Sequence, residues 1–393
     1  METGAIKVLL VEDNPGDALL LRETLEDTAA SIEWTQARSL AEALQHFESD
    51  KVFDVVLLDL SLPDSQGLQT FRKLHDRAPD APVVMLTGMN DETLAIEAMH
   101  QGAQDYLVKG AADGNALLRS MRYAIERTRR RHVERELNSA QVEMMAARAI
   151  QQRLFPQKPP ELPGFDIAGA SLPAVATGGD YFDFFPMPDG RFAMVIADVS
   201  GHGVGPALLM AETRAYLRAF ATGCPNLPQV LSLVNRAVVG DTESAQFVTM
   251  LAICLDPQSG SLSYASAGHP TGYVIDATGA VKVELQSTGM PLGVDADATF
   301  DAVNAGKLVP GDTVLLLTDG IVEAAAPPVN GLSERGRMDS RAMFGTQRPV
   351  DIVRASAGKS AKEIVQALHD AVNTFTGAEP QLDDVTAVIV KAL

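Results

Sequence analysis

"FDVVLLDLSLPDSQGL", residues 53–68, decides the fold of the N-terminal region. The apolar run from Val55 to Leu58 is unbroken and stops at Asp59. A short run rich in Val and Leu, closed by polar residues, is how a strand buried on both faces reads. The same signature recurs in "IKVLLVED" (6–13), "PVVMLTG" (82–88) and "QDYLVKG" (104–110). Between these runs lie helix-like stretches, "PGDALLLRETLEDTA", "SLAEALQHFES" and "DETLAIEAMHQGA". Strand and helix in alternation predict a doubly wound, flavodoxin-like α/β sheet over residues 5–127.

Beyond it the punctuation vanishes. "NALLRSMRYAIERTRRRHVERELNSAQVEMMAARAIQQRLF" holds no Gly or Pro and consists mostly of strong helix formers, so a helical linker is expected over 113–155. Leu117, Leu118, Met121 and Ile125, then Leu137, Met144, Ile150 and Leu154, fall roughly on one stripe. Pairing with a second copy in a coiled coil would cover that stripe, and so would packing on the chain's own domains; a homodimer is the expectation. The intervening arginines read as a solvated face. "FPQKPPELPGF" then breaks the helix with prolines. From about 160 to 393 the chain turns strand-rich, with "RFAMVIADV", "QFVTMLAICLD" and "SLSYASAG" separated by turn signals and interleaved with helical stretches. This predicts an α+β domain of layered sheets flanked by helices. Residues 325–349 read as a mobile excursion.

The 393 residues suffice for two domains with proper cores. A formal net charge of −19 argues against nucleic acid as a partner, because phosphate backbones demand a basic surface. The sequence shows no secretion pattern and no apolar stretch of membrane-spanning length. Two cysteines, Cys224 and Cys254, are too few for a disulfide scaffold and suit a reducing cytoplasm.

Glu12, Asp13, Asp59, Thr87 and Lys109 close the first region's apolar runs. In an open parallel sheet such residues converge at the carboxyl ends of the strands. Three carboxylates held together call for a hard cation, and Mg²⁺ suits oxygen ligands. Asp59 could then attack phosphorus while Lys109 and the metal counter the phosphoryl charge. The residues resemble those of a response-regulator receiver domain. The resemblance implies Mg²⁺ on Glu12, Asp13 and Asp59, phosphorylation of Asp59 by a histidine kinase, and switch roles for Thr87, Tyr106 and Lys109. Glu12 stands where aspartate is commoner, and Gly110 where many receivers carry proline.

The second region offers "TGGDYFDF", "ADVSGHGVGPA", "LLLTDGIVEA" and "PQLDDVTAVIV", each setting acids beside Gly or at the edge of an apolar run. Oxygen-only donors suit Mg²⁺ or Mn²⁺, and paired ions can hydrolyse a phosphate ester. Other phosphate chemistries fail on the residues. Val230 and Gly260 occupy the arginine positions of a Cys-x₅-Arg phosphatase, and Val353 stands where "GKS" (358–360) would need Gly for a phosphate loop. The ordered set GGD…D-x-x-G-H-G…TDG…DD-x-T is similar to the metal-dependent protein phosphatases (PPM, phosphatase 2C-like). The bacterial branch that controls sporulation and stress sigma factors is the nearer match. That resemblance implies two Mn²⁺ or Mg²⁺ held by Asp180, Asp198, the Val199 carbonyl, Asp319 and Asp383. It gives Asp183 and Asp384 supporting places around the ions and leaves His202 as either proton donor or structural residue; His269 reads as structural. A phosphorylated anti-sigma-factor antagonist (STAS domain) is the implied substrate. A second reading, a phosphorylation-gated adaptor that only binds its partner, is opposed by the intact aspartates.

Overall fold

The computed structural model describes all residues except 1–4, 27, 29, 49–50, 89–91, 112, 242–245, 328–341 and 378–380, and not the side chains of 92–95. Most of the expected excursion at 325–349 thus lies outside the described residues. The chain divides into two compact units, Met1–Gln141 and Val142–Leu393.

In the first unit, β1 (Ile6–Val11), β2 (Ile32–Ala37), β3 (Val55–Asp59), β6 (Val83–Thr87) and β7 (Asp105–Val108) form one sheet in the order β2-β1-β3-β6-β7. Every pairing is parallel. Helices α1 (Pro15–Glu26), α2 (Leu40–Glu48), α3 (Leu68–Arg77) and α4 (Glu92–His100) make the crossovers, and β4 (Ser61–Leu62) pairs with β5 (Ser65–Gln66) after β3. Side chains alternate across a strand. Val56 and Leu58 therefore pack with Phe71 and Leu74 of α3, while Val55 and Leu57 pack with Ala18 and Leu25 of α1. With both faces covered, alternation is invisible in the sequence and the strand reads as a continuous apolar run.

Helix α5 runs Gly114–Gln152. Its first turns belong to the first unit's core through Leu117, Leu118 and Met121. The later half of the expected stripe is different: Leu137 is 63 % exposed and Ile150 65 %. The stripe is thus divided: its first turns are covered by the sheet, Leu137, Met144 and Ile150 are open, and Leu154 packs partly against a core of the second unit.

The second unit stacks two antiparallel sheets between helices. The first sheet has the order β15-β12-β11-β10-β9, built from β9 (Tyr181–Pro186), β10 (Phe192–Val199), β11 (Val248–Leu255), β12 (Ser261–Ala267) and β15 (Val303–Lys307). The second has the order β14-β13-β16-β17-β8, from β8 (Phe165–Leu172), β13 (Gly272–Ile275), β14 (Val281–Leu285), β16 (Thr313–Leu317) and β17 (Val385–Ala392). Between the sheets pack Phe182, Phe184, Met194, Ile196, Leu251, Val314, Leu316, Val388 and Val390. Residues of opposite parity on β10, Ala193, Val195 and Ala197, pack with α6 (Val204–Gly223) and α7 (Leu227–Asp241). On β16 and β17, Leu315, Leu317 and Ile389 pack with α9 (Gln347–Ala355) and α10 (Ala361–Thr376). A short α8 (Asp319–Val322) follows β16. The "GKS" segment ends as a capping box: Ser360 caps α10 and pairs reciprocally with Glu363.

Candidate active sites

The first site forms at the carboxyl edge of the parallel sheet, where β1, β3, β6 and β7 end together. Ligand oxygens of Glu12, Asp13 and Asp59 lie within 4.8 Å of one another. Lys109 Nζ donates to Glu12 Oε2 at 2.5 Å, Asp59 Oδ2 at 2.8 Å and Asp17 Oδ2 at 3.2 Å. Asp17, in the first turn of α1, was not singled out from the sequence. Burial raises the Glu12 pKa, with the Asp59 charge adding and Lys109 opposing. Burial also works against the charge on Lys109, but Asp59 and Glu12 outweigh it and raise its pKa. Thr87 is buried on β6, its hydroxyl donating to the Leu107 carbonyl at 3.4 Å; half-buried Tyr106 on β7 stands opposite Met85, two residues before Thr87. The all-oxygen trio fits Mg²⁺.

The second site lies where the inter-sheet core runs out. Asp198 continues the row of Met194 and Ile196, Asp180 precedes the row of Phe182 and Phe184, and Thr318 and Thr386 extend those of Leu316 and Val388. Asp319 opens α8 and Asp383 lies in the loop before β17. Burial falls across the set: Asp180 is buried, Asp198 and Asp319 are half-buried, and Asp383 is exposed. Burial, then the neighbouring charges of Asp319 and Asp383, pushes the Asp198 carboxyl up to about 7. Asp180 is raised well above its ordinary value by burial and by Asp198. Asp319 and Asp383 are raised too, burial leading in both, with Glu323 next at Asp319 and the Asp319 charge contributing at Asp383. Among the described residues no lysine or arginine forms an ion pair with any of the four. They do not draw into a trio as tight as the receiver's. An uncompensated, oxygen-only set wider than one ion fits a pair of hard cations.

Glycines make the approach possible. A Cβ on Gly179 would sit 2.6 Å from the Val199 carbonyl oxygen, and one on Gly320 only 1.9 Å from that of Asp384. Gly201 and Gly203 carry φ of 93° and 96°, which sets the turn bearing His202 ahead of α6. His202 is exposed, and its charge acts on Asp383.

Two expected residues take other places. Asp183 sits three positions after Asp180 on β9, so its side chain turns to the opposite face of the sheet. There it is fully buried, accepts from Arg218 Nε and Nη2 at 2.6 Å each, and bonds the Tyr181 hydroxyl. The expectation that it supports the ions is corrected: it locks β9 to α6. Asp384 is near the cluster, but its oxygens hold backbone, accepting from Ala174 N at 2.8 Å and Asp180 N at 3.3 Å. Sequence reading missed Thr318, whose hydroxyl donates to Asp180 Oδ2 at 2.8 Å and accepts from Thr386 N at 3.1 Å. The "TDG" motif carried that residue in plain view. His269 is buried, pairs with Thr249 Oγ1 at 2.8 Å, and is driven by burial down to about 3, so it is neutral packing.

Fold and sites together define a response-regulator receiver domain joined to a phosphatase domain of the PPM, phosphatase 2C-like class. The chain belongs to the stage II sporulation protein E (SpoIIE) family, which matches residues 188–393; the response regulator receiver domain matches residues 8–121. Phosphoserine phosphatase RsbU of Bacillus subtilis is 26 % identical over 261 residues, covering 66 % of this chain and 72 % of its own. Protein IcfG of Synechocystis is 27 % identical over 277 residues, which span 63 % of this chain but only 41 % of IcfG. The SiaA PP2C domain of Pseudomonas aeruginosa shares the fold, with TM-score 0.55 and 23 % identity over 65 % of this chain and 98 % of that one. No helix among the described residues is long and apolar enough to cross a membrane.

Proposed function

We propose that the protein is a response regulator whose output is hydrolysis of phosphoserine or phosphothreonine on a protein partner. The observation that carries this is the delivery of Asp180, Asp198, Asp319 and Asp383 from strand edges to one place, where among the described residues no lysine or arginine pairs with them. Bound Mn²⁺ or Mg²⁺ would neutralise the phosphate ester and activate water. Asp180, Asp198, the Val199 carbonyl, Asp319 and Asp383 hold the pair. Thr318 fixes the Asp180 carboxylate, and Asp384 fixes the turn that carries it. His202, at the exposed rim beside Asp383, protonates the departing serine oxygen.

Asp59 accepts a phosphoryl group from a histidine kinase, with Mg²⁺ on Glu12, Asp13 and Asp59. Thr87, Tyr106 and Lys109 relay its presence, and the change reaches the phosphatase through α5. The open stripe on the later half of α5 favours a homodimer. The substrate is a phosphorylated anti-sigma-factor antagonist of the STAS type, as the resemblance to the sporulation and stress branch implies; the likeness to the phosphoserine phosphatase RsbU supports phosphoserine as the group removed. Mn²⁺-dependent hydrolysis of a phosphopeptide by wild type and Asp198→Asn tests the core of this. Activity surviving the substitution refutes the site, and inactivity of both proteins, with and without phosphodonor, favours an adaptor instead.

A further inference from the structure

From residue 141 to 152 nearly every α5 side chain is exposed, but Gln151 is only 8 % exposed. Its Nε2 donates to the Gly178 carbonyl at 2.6 Å, and its Oε1 accepts from the Gly178 N–H at 3.1 Å. One primary amide thus satisfies both backbone groups of one residue, as a neighbouring strand would. Leu154 and Phe155, next along the same side, pack partly against the apolar cores. A polar residue placed in that apolar row must meet its bonding needs there, and it does so on Gly178 alone.

Gly178 lies two residues before Asp180. It admits no side chain, since a Cβ there would stand 1.9 Å from Asp384 Oδ2. The segment 174–180 is therefore gripped from two sides: Asp384 holds the N–H groups of Ala174 and Asp180, and Gln151 holds both groups of Gly178. Asp180 is the most buried of the metal-facing acids and is aimed by Thr318. Its backbone position is set by this turn, so the end of α5 is mechanically in series with one arm of the ion site.

We propose that Gln151 is a positioning residue for the phosphatase metal centre, making ion affinity depend on where the last turn of α5 sits. This rests on the dimetal reading above. Any signal that moves the end of α5 along its axis or about it stretches the two bonds to Gly178 first, because they are short and directional.

The test uses the full-length protein, with Mn²⁺ binding followed by the free-ion EPR signal and phosphopeptide hydrolysis measured against Mn²⁺. Gln151→Leu keeps size and helix propensity but loses both bonds. It is expected to weaken Mn²⁺ binding at the phosphatase site about 10–100-fold, the range for residues that orient metal ligands. Turnover at saturating Mn²⁺ should stay near wild type. Gln151→Asn, which keeps the amide but not its reach, should behave likewise and decides the matter if Gln151→Leu does not fold. Gln152→Leu, at an exposed neighbour, should leave binding unchanged. Unaltered Mn²⁺ affinity in both Gln151 variants, or lost turnover at saturating Mn²⁺ with affinity intact, overturns the proposal. If Asp198→Asn binds Mn²⁺ as wild type does, the underlying dimetal reading has failed instead.

Discussion

The two acid clusters differ in how their charge is balanced. In the receiver, Lys109 bonds Glu12, Asp59 and Asp17 at once, so the pocket carries its own counter-ion. In the phosphatase, Asp180, Asp198, Asp319 and Asp383 have no such partner, and all four carboxyls are raised. The contrast fits the proposed roles. A pocket that accepts and loses a phosphoryl group must persist in both states, whereas a hydrolytic centre gains by reserving its charge for the ions and the ester.

That contrast can be broken at several points. The largest effect is expected from Asp198→Asn, which should reduce phosphopeptide turnover to background while leaving phosphorylation of Asp59 by a small acyl-phosphate donor intact. Next come two structural ion pairs. Lys109→Met leaves buried Glu12 and Asp59 without a counter-charge and should destabilise the receiver by about 3–5 kcal/mol in urea melts, partly restored by Mg²⁺. Asp183→Asn should cost less, about 1.5–3 kcal/mol, by weakening the charge-assisted bonds from partly exposed Arg218, with Mn²⁺ affinity unchanged. A loss of affinity without loss of stability would return Asp183 to the ion site.

A pH series separates the clusters further. The Asp198 carboxyl is raised from 3.8 to about 7, so the folded chain keeps a proton that the unfolded chain has released. In chelator, stability of the phosphatase unit should therefore fall as pH rises from the unfolded value through about 7, then level off. Mn²⁺ should offset that loss at pH above the window, and Asp198→Asn should shrink the slope, leaving the share of Asp180, Asp319 and Asp383. Lys109, raised from 10.5, stays charged through this range and adds no such fall. The smallest effect is expected from Thr318→Val, which removes one bond to Asp180 and should lower stability by about 1–3 kcal/mol, read by thermal melting with Mn²⁺ present.

The receiver was the more legible half. Its strands are parallel, so every apolar run ends at the same edge and the residue closing each run is a candidate. Antiparallel sheets deliver acids from both strand beginnings and strand ends, and only parity tells which face they meet. Counting by twos from Phe182 would have placed Asp180 between the sheets and Asp183 against α6, but the start of β9 in "TGGDYFDF" was not fixed by the sequence. Thr318 and Asp384 sat inside recognised motifs, yet their roles depend on backbone and side-chain partners far along the chain. Gln151 sits in the recognised "IQQRLFP" stretch, yet its role was not legible: its partner Gly178 is 27 residues away, and hydrogen bonds across such distances have no period. The apolar stripe of α5 was readable as a stripe. That the sheet covers only its first turns was not.

The central claim is that Lys109 partly balances one cluster, whereas the other has no lysine or arginine paired to it and relies on ions alone. A Mn²⁺ titration of the full-length protein, followed by the EPR signal of free ion, tests it most directly in wild type, Asp59→Asn and Asp198→Asn. The account predicts two classes of site, one lost in each variant, with the class lost in Asp198→Asn also the one that raises the melting temperature of the phosphatase unit. A titration that Asp198→Asn leaves unchanged would contradict it.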